Sequence, residues 1–249
     1  MLGEWADSGL VLRAGRFRET DIWLKTLCKS KGITTLFAFG ASRSRRRFCG
    51  CLDVLNTLHC RISTVKNGAF HNLQEAVLLA GPRHLRRDWQ RMGQAANCLR
   101  FVEALGVPPE SAREVFALVE DMRDTLENAE RLPALFPLFF RLRMAGASGF
   151  APRLQCCGRC GGPLGENALF LADEGQMRCA RCRPARAARA TELPGAALDL
   201  LRLVQSAPPS AWPMGDMLPT ERRACAAAID GFVQYHLGLA FENGRFRRT

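Results

Sequence analysis

Gly32-Ile33-Thr34-Thr35-Leu36-Phe37-Ala38-Phe39-Gly40 is a β-branched and aromatic run bounded by glycines, a pattern that predicts a strand. Two similar runs precede it, Gly9–Ala14 and Ile22–Cys28, separated by the turn chemistry of Arg18-Glu19-Thr20-Asp21. Further strands are expected at 52–63 and 71–79. Five short strands in the first 80 residues predict a small closed barrel, because closure leaves no exposed edge. Leu36, Phe37, Ala38 and Phe39 put apolar side chains on both faces of the third strand. Both phenylalanines are therefore assigned to the barrel core, with one outward stacking ring as the lesser option.

Beyond Pro82 the apolar period becomes helical. Leu85, Trp89, Met92, Ala96, Leu99 and Val102 make one stripe, and Val115, Leu118, Val119, Met122 and Leu126 a second after Pro108-Pro109. A third helix carries Leu135, Leu138, Phe139 and Leu142, with Pro133 placed in its first turn. A helix near 194–205 and a last helix carrying Cys225, Ile229, Phe232, Val233, His236 and Leu237 on one face complete the chain. The expected division is a barrel over 1–80 and a helical domain over 81–249, interrupted by a cysteine-rich insert at 153–184. The class is α+β. The last helix should pack back on the helices of 82–150.

Lys plus Arg number 35 against 24 Asp plus Glu, so an anionic partner is expected, a nucleic acid or an acidic surface. The acidic opening Met1–Asp7 has no basic region and no apolar stretch after it, so no signal peptide is expected. No apolar run is long enough to cross a bilayer. The expectation is a cytoplasmic protein with reduced cysteines, some of which hold metal.

Cys157-x2-Cys160 and Cys179-x2-Cys182 carry the strongest local chemistry. Two such pairs close a tetrahedral four-sulfur site that suits one structural Zn²⁺, leaving no position open for water. Glycines 158, 161, 162 and 165 allow the backbone to turn around it. Arg159, Arg178, Arg181 and Arg183 would offset the charge of a zinc tetrathiolate. Cys156 competes with Cys157 for the first position, and the usual chelating spacing favours Cys157. Two unrelated buried pairs or a redox dithiol are the plainer alternatives. Cys49, Cys51, His59 and Cys60 have no familiar metal spacing.

Ser42-Arg43-Ser44-Arg45-Arg46-Arg47 follows the third strand and so lies on a barrel loop. Arginines there can track phosphates, and the adjacent Phe48 can stack a base; a solvated charged loop is the alternative. The four histidines fall in no catalytic pattern, and no nucleophile elbow, phosphate loop or HExxH is present.

In this order the segments resemble the RecO family of DNA repair proteins. The resemblance is carried by Val11-Leu12-Arg13, Glu19-Thr20-Asp21, Thr26-Leu27, Lys31-Gly32 and Gly40-Ala41-Ser42-Arg43-Ser44-Arg45. Gly149-Phe150-Ala151-Pro152-Arg153-Leu154-Gln155-Cys156-Cys157-Gly158-Arg159-Cys160-Gly161 and His236-Leu237-Gly238 extend it. The chain departs from the family pattern at Phe39, where a basic residue is common, and at Glu242-Asn243, where Lys-Ser is common.

The resemblance implies an OB-fold barrel, a zinc finger and a non-enzymatic, nucleoid-associated recombination mediator. It implies binding of single- and double-stranded DNA, strand annealing, and joining RecR to load RecA on DNA coated by single-strand binding protein. The acidic tail of that protein would need an apolar patch ringed by bases, expected where Arg86, Arg87 and Arg91 flank Trp89. Two rivals share the finger. A formamidopyrimidine-type DNA glycosylase would begin with a catalytic Pro-Glu, where Leu2-Gly3 stand here. A zinc-ribbon transcription or translation factor would not need the helical middle.

Overall fold

In a computed structural model, which describes residues 3–65, 70–186 and 188–249, alternation along the first strands sets the barrel. β1 (Gly3–Arg16), β2 (Ile22–Cys28), β3 (Gly32–Ala38), β4 (Thr57–Val65) and β5 (Phe70–Ala80) close in the order β1-β2-β3-β5-β4. Every pairing is antiparallel except β3 with β5, and β4 returns to pair with β1. This is the OB-type barrel. Met1 and Leu2, which opened the signal-peptide reading, lie outside the described residues.

Leu24, Leu36, Ala38, Leu58, Ile62 and Leu73 fill the interior and are fully buried. The strand expected at 52–63 begins only at Thr57. Before it, Leu52 and Leu55 enter the core from a loop. Val11 holds that loop at the β1 bulge: its N–H donates to the Asn56 carbonyl (2.9 Å) and its carbonyl accepts from Leu55 N–H (2.8 Å).

The compact units are partitioned differently from the 1–80 and 81–249 division. The first contains the barrel through Trp89 and also Gly106–Glu127; the second contains Gln90–Leu105 and Asn128–Thr249. The helix α1 (Trp89–Leu105) thus falls, after its first residue, in the second unit, and α2 (Ala112–Asn128), before its last, in the first. Contacts explain why α2 goes with the barrel. Arg123, buried, donates to Thr57 Oγ1 (2.6 Å), and Thr57 donates to Glu120 (3.0 Å). Glu127 accepts the N–H groups of Arg83, His84 and Leu85 at 2.8–3.0 Å. Burial opposes ionisation of Glu127, yet those three donors and His84 hold its pKa below the usual carboxylate value. Gly32, at φ 72°, lies so close to Val107 that a Cβ would sit 1.9 Å from the Val107 carbonyl oxygen. Ile33 N–H donates to that same oxygen (3.1 Å).

In the second unit, α1, α3 (Phe136–Ala147), α4 (Gly195–Ser206) and α5 (Pro219–Leu237) accompany a four-stranded sheet. The sheet consists of β6 (Arg153–Cys157), β7 (Asn167–Leu171), β8 (Gln176–Arg178) and β9 (Ala190–Pro194), in the order β6-β8-β7-β9. The last helix packs on α3 as expected, and also on α4 and β9. The proline in the first turn of α3 is Pro137 rather than Pro133, which lies before the helix. Trp89 is 80% exposed rather than part of an apolar stripe, because the helix begins there and Leu85 is buried in a separate short turn.

A hairpin absent from the sequence reading ends the chain: β10 (Leu239–Glu242) and β11 (Arg245–Arg248). Its turn is Asn243-Gly244, both at positive φ, the geometry that a two-residue hairpin prefers. Arg141 anchors it. The buried guanidinium lies 4.9 Å from the ring centres of both Phe241 and Phe246, and donates to Asp230 (2.7 Å) and Asn97 (3.1 Å). Asp230 is half exposed, so the ion pair is discounted for solvent screening. The two ring contacts and the buried hydrogen bonds set an expected destabilisation of about 3 kcal/mol for Arg141→Ala. Urea unfolding monitored by circular dichroism checks it; an unchanged midpoint would show that Arg141 is not an anchor.

Candidate metal centre and nucleic-acid interface

Each cysteine pair is placed by a strand end followed by a tight turn. Cys157 closes β6, and its carbonyl accepts Gly161 N–H (2.8 Å), with Gly161 at φ 71°. Cys179 follows β8, and its carbonyl accepts Cys182 N–H (3.0 Å). β6 and β8 are parallel neighbours, so the two turns meet at one end of the sheet. The four Sγ atoms of Cys157, Cys160, Cys179 and Cys182 all lie within 4.8 Å of one another, and Cys160 and Cys179 are 3.9 Å apart. A tetrahedral zinc with bonds of about 2.3 Å would hold its sulfurs about 3.8 Å apart. The cluster can therefore hold a metal ion, and its donor set fits a closed, structural one. Cys157 belongs to the cluster, while Cys156 points out to solvent.

The electrostatics of the cluster favour a cation. Burial opposes ionisation of Cys157, but the backbone N–H groups of Cys179, Cys160 and Arg159 bring it down to about 6. Burial likewise opposes Cys179, and the Cys182 N–H leads the contacts that bring it down. Cys182 moves the other way, to about 12, because the neighbouring sulfurs, Cys160 first, hold its proton. The rise at Cys182 shows that neighbouring sulfurs oppose charge on one another, an opposition that a bound cation would relieve. Of the four arginines expected to offset the charge, Arg178 pairs with Glu174 and Arg183 with Glu192 (3.4 Å), while Arg159 and Arg181 are exposed.

Helix α5 braces the other end of the sheet, at the turn between β7 and β8. His236 Nε2 lies 2.9 Å from the Ala172 carbonyl. Gly175 leaves room for that approach, since a Cβ there would sit 3.0 Å from Phe232 and 3.3 Å from His236. Among the described residues the only grouping of three or more metal-ligating side chains is this one. Cys51 and Cys60 are buried in the barrel, and burial raises both thiols, Cys60 to about 12.

On the barrel, the arginine loop leaves β3 through a short turn at Ala41–Arg43. Gly40 N–H donates to Asp21 (2.8 Å) and Ser42 N–H to the Thr20 carbonyl (3.0 Å), so the β1–β2 connection supports the loop's base. Arg43, Arg45, Arg46 and Arg47 are all exposed. Arg47 is also anchored, donating to the Phe39 carbonyl (2.7 Å) and lying 5.0 Å from the Phe48 ring centre.

Two aromatic assignments are corrected. Phe48 is buried in the barrel core and cannot stack a base. Phe37 and Phe39 are only half buried, on the outside of the barrel, because Leu36 and Ala38 take the inside.

Arg86, expected beside Trp89 as a receptor for an acidic tail, is committed elsewhere. It donates to the carbonyls of Pro82 (3.1 Å) and Val54 (3.0 Å) and to Asn56 Oδ1 (2.9 Å). Arg87 is exposed in the first unit, and Arg91, in the second, donates to the Glu130 carbonyl (3.2 Å). No helix among the described residues is long and apolar enough to cross a membrane.

A closed OB-type barrel with a basic loop, together with a helical unit that bears a four-cysteine ribbon, defines the architectural class. Family profiles give it a lineage: Recombination protein O N terminal matches residues 1–82, and Recombination protein O C terminal matches residues 86–244. The DNA repair protein RecO of Nitratidesulfovibrio vulgaris is 47% identical over 98% of this chain and 99% of its own length. Those of Oleidesulfovibrio alaskensis and Lawsonia intracellularis are 42% identical (98% of this chain, 99% of the relative) and 38% identical (99% and 100%). The chain belongs to the RecO family of DNA repair proteins.

Proposed function

We propose that this protein is a non-enzymatic recombination mediator that binds single- and double-stranded DNA and anneals complementary strands. With RecR, it helps load RecA on DNA coated by single-strand binding protein. The observation that carries this reading is the exposed arginine loop, Arg43 to Arg47, on an OB-type barrel in a RecO-family chain. Residues 1–80 are proposed as the nucleic-acid-binding domain. The four cysteines of the ribbon are proposed to hold one Zn²⁺ that fixes the fold of 153–184 and takes no part in chemistry. The protein is proposed to act in the cytoplasm, on the nucleoid.

Fluorescence annealing of complementary strands coated with single-strand binding protein tests the reading. Annealing should rise with this protein and change when RecR is added; strands that pair no faster than in buffer would overturn it. The position of the acidic-tail receptor is a separate matter. Trp89 is exposed, with Arg87 and Arg91 two residues to either side in the sequence. Arg87→Glu with Arg91→Glu should weaken binding of a labelled tail peptide at least severalfold. Unchanged affinity would move the receptor elsewhere.

A further inference from the structure

We propose that Cys49-Gly50-Cys51 is a dithiol switch on the arginine loop: a peroxide closes it into a disulfide, and the disulfide loosens the loop's hold on DNA phosphates. The inference deepens the nucleic-acid reading given above and rests on it. The two cysteines follow the run Arg45 to Arg47 directly, with only Phe48 between.

The backbone already brings them together. Cys51 N–H donates to the Phe48 carbonyl (2.8 Å), closing a turn whose central residues are Cys49 at φ 41° and Gly50 at φ 68°. A residue with a side chain rarely adopts positive φ, and keeps it only where its surroundings impose it. A disulfide needs Cα atoms about 4.4–6.8 Å apart. Residues two apart pass that limit only in fully extended backbone, and this turn is not extended. The two groups also feel each other: burial leads the rise of the Cys51 thiol, and the charge of Cys49 adds to it.

Both sulfurs hold the backbone that carries the arginines. Cys49 is exposed, and its Sγ donates to the carbonyls of Arg45 (3.4 Å) and Arg46 (3.3 Å). Cys51 is buried, and its Sγ donates to the Ala76 carbonyl on β5 (3.5 Å). Ala76 N–H in turn donates to the Arg47 carbonyl (2.9 Å). A disulfide uses up both S–H donors and turns the sulfurs toward each other. The carbonyls of Arg45, Arg46 and Ala76 then lose these contacts, and the arginines lose their fixed spacing.

The chemistry balances. Access governs which thiol a peroxide reaches, and a neighbouring thiol traps the product. The Cys49 thiolate attacks one peroxide oxygen, the O–O bond breaks and hydroxide leaves, so that Cys49 becomes a sulfenic acid. The Cys51 thiolate then attacks the Cys49 sulfur, the S–S bond forms, the S–O bond breaks and a second hydroxide leaves. With the two thiol protons the hydroxides become water. A thiol reductant returns the pair to the dithiol by exchange.

The test compares the full chain with its Cys49→Ser variant, before and after hydrogen peroxide. Serine keeps a hydroxyl donor for the same carbonyls but forms no disulfide. The dose is the one that oxidises the exposed Cys156, so that the ribbon is treated alike in both proteins. Trypsin and a protease that cuts before Asp53 release Cys49 and Cys51 apart from Cys60. That fragment of treated wild type should be lighter by two hydrogens. Affinity for a labelled oligothymidine should fall by roughly fourfold near 0.15 M salt for each phosphate contact displaced, and dithiothreitol should restore it. Treated Cys49→Ser should show neither change. A fragment that keeps its mass, or only gains oxygen, would overturn the switch. So would a disulfide that leaves wild-type affinity equal to that of treated Cys49→Ser. Reduced protein that binds no strand would overturn the nucleic-acid reading, and the switch with it.

Discussion

If the ribbon holds zinc and the barrel binds DNA as proposed, a chelator or the replacement of one ribbon sulfur is expected to unfold residues 153–184 and to leave the DNA affinity of the barrel in place. Structural zinc in small fingers contributes about 10–16 kcal/mol of apparent binding energy near neutral pH, comparable to a typical domain's whole stability. Strand β8 has only three residues, and the two cysteine turns are joined to it at one end. Without an ion, the Cys157 thiol is brought down to about 6 and that of Cys179 is lowered as well, while the Cys182 thiol is pushed up to about 12. Metal binding should therefore release protons and weaken as pH falls, because the thiols compete for the same sulfurs.

Elemental analysis should find about one zinc per chain. Cys160→Ser or a strong chelator should remove it and open 153–184 to protease, while affinity for a single strand stays within a fewfold. The barrel has its own buried core, in which none of these cysteines takes part. A metal-free protein with unchanged protease resistance would defeat the metal assignment. Loss of DNA binding together with the metal would show that the ribbon serves the interface directly.

The second large effect is expected at the arginine loop. Each phosphate contact to a single strand adds about 0.7 to the slope of log affinity against log salt. Neutralising Arg45, Arg46 and Arg47 should flatten that slope by about 2, and weaken binding by similar factors on every sequence. The structure refines the experiment. Arg47 also holds the Phe39 carbonyl, so its loss disturbs the loop as well as removing a charge. The pair Arg45→Ala, Arg46→Ala leaves that anchor in place and should flatten the slope by about 1.4. Thermal stability should barely move, since exposed arginines contribute little to it. Parallel salt lines for wild type and triple variant would mean that these arginines do not touch phosphate. The exposed Arg245, Arg247 and Arg248 of the terminal hairpin would then be the next basic surface to test.

Much of this was legible from the residues. Ile22–Cys28 begins and ends as a strand where the apolar run does, and the second helical stripe, Val115 to Leu126, is buried throughout. The cysteine spacing named the four sulfurs that come together. Orientation was harder. Alternation tells which residues share a face but not which face is inside when both are apolar, so Phe37 and Phe39 were turned inward while Leu36 and Ala38 hold that place. Phe48 failed the opposite way: one ring beside a run of arginines looks exposed, yet the loop folds it into the core. The Asn243-Gly244 dipeptide is itself a hairpin signal, although the strands it joins have only four residues each. Which helix goes with the barrel was not readable, because it depends on contacts distant in sequence, such as Arg123 with Thr57.

The barrel's unit is interrupted after Trp89 and resumes only at Gly106. A ribosome delivers the chain from its N-terminus, and folding units generally form as they are delivered. All five barrel strands have been synthesised by Ala80, but the carbonyl that receives Ile33, the guanidinium that reaches Thr57 and the carboxylate that holds the backbone of 83–85 arrive later, the last at Glu127. Meanwhile α1 must emerge with Cys98, Phe101 and Val102 before the rest of its own unit exists. A nascent chain paused between these points would carry a barrel without its bracing contacts from α2 and a helix with its apolar face still exposed.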